Sequence, residues 1–339
     1  MATFRRPVSG VCVIVLLTAA AAFAEPPRIG APEPKPHAPR TVRIASYNLE
    51  NLFDNKDDPS LSGKDDDMMS VKPESERKAL GEVIRRLDAD VLACEEVESY
   101  DALIEFREQH LKGAGYNYVQ SIDVGAERGI EQAVMSRYPI VHAEVWPVLD
   151  LGGAQPPTLD GKKNEAAGKP LVGRRSPLAV TVEVPAEATG GKPYFLTLLV
   201  VHQKSGRDFS FWREAESEAF VKLVKQMEQR DPKANIVVLG DFNASPDQKS
   251  VKIFTAAGLT DVFAPHGDKD PLWITHSSGR IIDHLLVNAN LQHELIPGSE
   301  FVLGTPQLKP EEDWRTAKKP DGYASDHLPI AVDLKPVDE

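Results

Sequence analysis

Apolar and polar positions follow two different periods along the chain, and each period marks a kind of element. Residues 41–53, TVRIASYNLENLF, put Val42 and Ile44 in a segment that suits a strand ending near Asn48. Leu80, Val83, Ile84 and Leu87 then fall at i, i+3, i+4 and i+7 behind Pro73 and Glu74, which predicts an amphipathic helix. DVLACEEVE (90–98) predicts a strand, residues 100–111 a second helix, and residues 116–122, 132–136 and 140–147 short strands. Residues 150–173, rich in Gly, Pro, Ala and Lys, read as a long surface loop. Strand character returns at SPLAVTVEV and YFLTLLVVH, and Phe220, Leu223, Val224 and Met227 mark another helix. NIVVLGD, RIIDHLLVN, a segment near 294–303 and LPIAVDL are further strands. Strands outnumber helices and no repeat period occurs, so the pattern predicts a layered α/β or α+β domain on two sheets.

The first residues stand outside that domain. Arg5 and Arg6 precede an apolar run over residues 11–22, and Ala22-Phe23-Ala24 supplies a small-x-small cleavage pattern. Residues 1–24 are therefore expected to be a signal peptide, with the mature protein secreted or periplasmic and without a stable membrane anchor. Residues 25–40 hold six prolines and read as an extended, mobile linker; the domain is expected to cover 41–339. Removing the leader takes the formal net charge from -12 to -14 and leaves Cys94 as the one cysteine, so the fold must rest on its core without an internal disulfide. The acidity gives no basic footprint for indiscriminate polyanion binding. Nothing in the chain calls for an obligate protein partner, and a monomer is expected.

Several strand ends carry polar groups. After Ile236–Leu239, buried on both faces by composition, Gly240 ends the strand; Asp241 and Asn243, two apart, share a face. Ser245 is expected to cap a helix with Pro246 at its first position and Gln248 closing a capping box. Asp and Asn after a strand are ordinary turn formers. However, Asn48, Glu95 and Glu96, His202, Asp283 and His284, and Asp326 with His327 also sit at strand ends. Strand ends of a layered sheet converge on one rim, so these residues become candidates for one site. Carboxylates, amides and histidines without a Cys cluster select hard cations, Mg²⁺ with Mn²⁺ or Ca²⁺ as alternatives. That set supports metal-assisted hydrolysis of a phosphate ester.

SYNLENLF, CEEVE, GIEQAVMSRYPI, VVHQKSG, VVLGDFN, IDHLLV and SDHLPI occur in an order that resembles the endonuclease/exonuclease/phosphatase (DNase I-like) superfamily. The resemblance implies a four-layer α/β sandwich, two mostly antiparallel β-sheets flanked by helices, with the site at one rim. By matching positions it implies Glu96 as the main metal ligand, with Asn48 holding or orienting the metal shell and Asp326 assisting at the metal. Asp241 would activate water, Asn243 would contact the scissile phosphate, and His327, paired with Asp283, would bind that phosphate. His202 would act as an imidazolium that protonates the leaving oxygen. Family members usually carry glutamine where this chain has Glu95, which opens the question of which glutamate ligates. Lys204, Arg128 and Arg213 are candidate phosphate contacts.

The activity so implied is that of an exported metal-dependent phosphoesterase, with phosphodiesters of DNA or RNA as the first expectation. A phosphatase or sphingomyelinase-like phospholipase is the alternative, favoured by the acidic surface. A non-catalytic binding module on the same scaffold is the third reading, and no site residue is lost to support it.

Overall fold

A computed structural model describes residues 28–56, 71–126, 128–267, 269–313 and 315–337. The expected signal peptide lies outside the described residues. In chain order the first half comprises β1 (Val42–Leu52), α1 (Glu74–Leu87), β2 (Val91–Val97), α2 (Tyr100–His110), β3 (Tyr118–Ser121), β4 (Glu131–Ser136) and β5 (Ile140–Val145). Four short strands follow: β6 (Asp150–Ala154), β7 (Thr158–Leu159), β8 (Lys162–Lys163) and β9 (Pro170–Val172). The second half has β10 (Leu178–Val184), α3 (Ala186–Thr189), β11 (Tyr194–His202), α4 (Ser210–Arg230), β12 (Asn235–Asp241), α5 (Lys249–Ala256) and β13 (Thr260–Asp261). It closes with β14 (Asp283–Val287), α6 (Ala289–Gln292), β15 (Phe301–Val302) and β16 (Ile330–Leu334).

Two six-stranded sheets result, ordered β15-β16-β1-β2-β4-β3 and β13-β14-β12-β11-β10-β5. Each has one parallel pair, β1 with β2 and β11 with β12, and is otherwise antiparallel. The parallel pairs are where a helix must cross over, and α1 and α4 make those crossovers. The sheets face each other across a core that includes Ile44, Val91, Val200, Leu239 and Leu285. The outer face of the first sheet buries Leu80, Val83, Ile84 and Leu87 of α1 with Phe106 of α2. On the outer face of the second, Phe220, Leu223 and Val224 of α4 join Phe254 of α5. Burying each such side chain contributes roughly 1.5–3 kcal/mol, so the 3.6-residue stripe fixes which way each helix lies. The four-layer sandwich is thus the observed fold.

Four details differ from the sequence reading. The proline-rich segment is docked: Ile29 enters the central core, Gly30 N–H donates to the Pro271 carbonyl at 2.8 Å, Ala31 N–H donates to the Val302 carbonyl of β15, and Gly304 N–H donates to the Ala31 carbonyl. Residues 150–173 are not a plain loop. β6 pairs with β9 and β7 with β8, the latter through Asp160-Gly161, both left-handed, and Leu151 and Leu171 pack on Trp212 of α4. Helix α5 starts at Lys249 without a side-chain cap, because the Ser245 carbonyl accepts Gln248 N–H in a turn that precedes it. The strand expected near 294–303 shrinks to Phe301 and Val302. Among the described residues no helix is long and apolar enough to cross a membrane.

Candidate active site

The period of two delivers a set of polar side chains to one end of the sandwich. Leu198 and Val200 of β11, Val237 and Leu239 of β12, and Leu285 and Val287 of β14 face the central core. His202, Asp241 and Asp283 continue those rows, and the ladder sets His202 opposite Asp241 and Asp241 opposite Asp283. In the other sheet Ile44 and Ala93 face the same core; Asn48 and Glu95 continue their rows and are paired. Gly240 makes the close packing possible: its φ is +137°, and a Cβ there would stand 2.0 Å from the Val201 carbonyl oxygen.

Two further carboxylates arrive through bulges. The β1–β2 pairing shifts between Asn48 and Leu52, and the β2–β4 pairing between Cys94 and Val97. Cys94 faces the outer core, so strict alternation would send Glu96 there too; its left-handed φ of 60° turns it to the rim instead. Asn51 N–H donates to Glu96 Oε2 at 3.1 Å and ties the two bulges together. Glu50, with φ 50°, accepts from Lys319 Nζ (2.8 Å), Tyr323 Oη (2.8 Å) and Asp326 N–H (3.2 Å). Asn243 is also left-handed, and its N–H and Nδ2 both donate to Asp241, at 2.7 and 2.9 Å. Glu50, Asn51, Glu96 and Asn243 are four of the seven non-glycine residues with left-handed φ among the described residues, so backbone strain concentrates at this rim.

The electrostatics separate the roles. His327 donates Nδ1–H to Asp283 at 2.9 and 3.0 Å, and its Nε2 lies 3.8 Å from Asp241 Oδ2. Burial opposes charge on His327, but Asp283 and Asp241 outweigh it and hold the ring well above its ordinary range, as an imidazolium. Burial pushes Asp241 up to about 6 despite His327, with Asp283 adding to the rise. Asp326 is held low, although burial opposes it, by His276 and His327. Ser278 N–H donates to His276 Nδ1 at 3.0 Å, which leaves the proton on Nε2, 3.3 Å from Asp326 Oδ2.

His202 departs from its expected charge. Its Nε2 lies 3.3 Å from Asp241 Oδ2 and 3.6 Å from Glu96 Oε1, yet burial, with Arg175 and Arg128 behind it, lowers it well below the ordinary histidine range. It is a neutral ring, and two carboxylates beside Nε2 require the proton on that nitrogen. Glu95 is also neutral. Burial, then Asp283, raise it well above the usual carboxylate range; Ser46 Oγ–H donates to Oε1 at 2.9 Å. Glu96 stands at the rim, 3.5 Å from Arg128, and Glu95 is fully buried inside it.

A hard divalent cation fits these donors. Burial and the facing Asp326 raise Glu50, so carboxylate charge at the rim exceeds what the nearby donors neutralise. Asn48 Nδ2 donates to Asp241 Oδ2 at 3.3 Å, while its Oδ1 accepts Glu50 N–H at 3.0 Å. Among the described residues, the groups of three ligand atoms within 4.8 Å are His276, Asp326 and His327, and Asp241, Asp283 and His327; Glu96 belongs to neither. Glu50 was missed in sequence, although it shares the two-residue spacing from Asn48 that joins Asp241 to Asn243.

The candidate phosphate contacts divide. Arg128 donates to Asn51 Oδ1 at 2.6 Å and lies 3.5 Å from Glu96, and Lys204 is half-buried near the same rim. Arg213 is placed otherwise: it is buried and donates to the Lys204 and Gly206 carbonyls at 3.0 and 2.8 Å, so it braces the loop after β11. Arg175, unmarked in sequence, is buried beside Arg128 and Lys204.

Residues 45–327 match the endonuclease/exonuclease/phosphatase family. No curated protein matches the chain significantly in sequence. Similar solved structures include the human Nocturnin catalytic domain with bound sulfate (17% identity, TM-score 0.52, covering 87% of this chain and 94% of that one). A mannosyl-6-phosphatase of Bacteroides thetaiotaomicron has 17% identity and TM-score 0.53, over 86% of this chain and 99% of that one. Truncated TDP2 of Caenorhabditis elegans has 14% identity and TM-score 0.51, over 87% and 97%. At such identities these three share the fold, whereas the family match spans most of the chain together with its polar rim. The chain belongs to the endonuclease/exonuclease/phosphatase family and is a hydrolase of phosphate esters.

Proposed function

We propose that the protein hydrolyses phosphodiesters with a divalent cation, Mg²⁺ first, and that nucleic acid is its substrate class. One observation carries the hydrolytic reading: Asp241, raised to about 6, is set between the His327–Asp283 pair and the neutral His202. A carboxylate with that affinity for protons is suited to take one from water near neutral pH. Water oxygen then bonds to phosphorus, the bond to the leaving oxygen breaks, and Asp241 holds the released proton. His327, as an imidazolium, and Asn243 would stabilise charge on the phosphoryl oxygens. His202, a neutral ring, would hydrogen-bond the departing oxygen through Nε2–H while keeping its proton, and that oxygen would take a proton from solvent. Glu96, Glu50 and Asp326, with Asn48 beside them, would hold the cation, which when bound polarises the phosphoryl oxygens.

The nucleic-acid reading rests on His202, which falls where nuclease-like members of the family place a histidine. A second reading, a small sugar or lipid phosphate, is favoured by the net charge of -12 and by a compact cationic cavity beside the site. The leader-like residues 1–24 support action outside the cytoplasm, in the periplasm or medium. Assays of the mature protein on plasmid DNA, RNA, sphingomyelin and phosphomonoesters separate these readings. Cleavage of DNA or RNA is the expected result; turnover of monoesters alone would replace it with a phosphatase.

A further inference from the structure

Beside His202 and Glu96 lies a cavity of about 170 Å³ lined by Ala126, Arg128, Ile130, Arg174, Arg175 and Lys204. Four cations around so small a space are unexpected in a chain of net charge -12. Arg175 is buried, with one amino group on the Gln203 carbonyl at 3.0 Å, and Arg174 stacks its guanidinium over Trp212 at 5.3 Å. After burial, Arg175 is the next influence lowering Lys204, and Arg174 and Arg128 also lower it, so the cations repel one another across the cavity. Glu216, which accepts Lys204 N–H at 2.9 Å, is itself raised to about 7 by burial.

The cavity is joined to the catalytic rim by two short bridges. Arg128 and His202 stand on the same Glu96 oxygen, at 3.5 and 3.6 Å. The Gln203 carbonyl accepts from Arg175 and, at 3.2 Å, from Asn243 Nδ2. An anion in the cavity is therefore a neighbour of the scissile group on the same small molecule or on the next unit of a chain.

We propose that this cavity binds a second phosphate of the substrate, so that the preferred substrate carries two phosphate groups separated by one short unit. Resting on the phosphoesterase reading of the adjoining rim, this assigns Arg174, Arg175, Arg128 and Lys204 to the non-reacting phosphate. Guanidinium and ammonium groups make charge-assisted bonds to phosphate, and the apolar Ala126 and Ile130 floor strengthens them by excluding water.

The test compares thymidine 5′-(4-nitrophenyl phosphate) with its 3′-phosphorylated form, and fructose 6-phosphate with fructose 1,6-bisphosphate, in Mg²⁺. The wild type is expected to favour the doubly phosphorylated member of at least one pair by about ten- to a hundredfold in kcat/KM. Preference in the nucleotide pair names a nucleic-acid source, and preference in the sugar pair a sugar phosphate. Arg174→Ala and Lys204→Ala should each shrink that ratio, more through KM than through kcat. Turnover of both members at equal rates in both pairs would overturn the second-phosphate site while leaving the phosphoesterase reading intact. If no substrate is turned over, that reading fails and calorimetry still judges the cavity. Tighter binding of thymidine 3′,5′-bisphosphate than of thymidine 5′-phosphate, lost in Arg174→Ala, sustains it, and equal binding refutes it.

Discussion

His327 donates an Nδ1–H hydrogen bond to Asp283 at 2.9 Å and turns Nε2 towards Asp241, 3.8 Å away. The pair sets both limbs of a pH profile. Asp241 must be ionised to act, and its raised value of about 6 places the acid limb there, with kcat/KM rising as pH increases through it. His327 must stay protonated, and Asp283 moves its loss of charge well above the ordinary histidine range. Asp283→Asn should therefore pull the alkaline limb down by one pH unit or more, as about 1.4 kcal/mol of lost attraction would. An alkaline limb that stays in place would separate His327 from the chemistry.

Glu95 and Glu96 should respond oppositely to the same substitution. Protonated Glu95 offers one donor and one acceptor, as an amide does, so Glu95→Gln should stay within a few-fold of wild-type turnover, while Glu96→Gln should lose about a hundredfold or more. Stability gives a second check. A carboxyl raised by folding contributes fully below its unfolded value of about 4.3, and that contribution is lost as pH rises through the higher folded value. Glu95→Gln should thus raise Tm relative to wild type at pH 8 more than at pH 5. Equal shifts at both pH values would mean that Glu95 is charged.

The sequence made much of this rim legible, because a period of two carries side chains from core to strand end without further information. Asp241, Asp283, His202 and Asn48 follow that rule. Glu50 was hidden by ending β1 at Asn48, and Glu96 reaches the rim only because a bulge defeats alternation. The β7–β8 hairpin had a readable signal, Asp160-Gly161 between short strands, masked by the surrounding glycines and prolines. Arg175, His276, Tyr323 and Lys319 gave no local sign, since their positions follow from packing of segments far apart in the chain.

Gly240 is expected to tolerate no side chain. Gly240→Ala places a methyl 2.0 Å from the Val201 carbonyl at a φ that L-residues rarely adopt, and should cost about 3 kcal/mol or more. Denaturant unfolding measures this, and a loss under 1 kcal/mol would show that β11 and β12 can part at their ends.

A cation should stabilise the fold as well as serve the reaction. It relieves the mutual repulsion of Glu50 and Asp326, and at a hundred times its Kd would add about 2.7 kcal/mol. Mg²⁺ should raise Tm in the wild type and raise it less in Glu50→Gln. Identical shifts in both would remove Glu50 from the cation's surroundings.

Hydrolysis of bis(4-nitrophenyl) phosphate by wild type and Asp241→Ala, each in Mg²⁺ and in excess chelator, tests the central claim most directly. Wild type with Mg²⁺ should turn over, chelator should abolish the reaction, and Asp241→Ala should retain a folded Tm with at least about a hundredfold less activity. Undiminished activity in chelator, or in folded Asp241→Ala, would contradict a metal-assisted reaction based on Asp241.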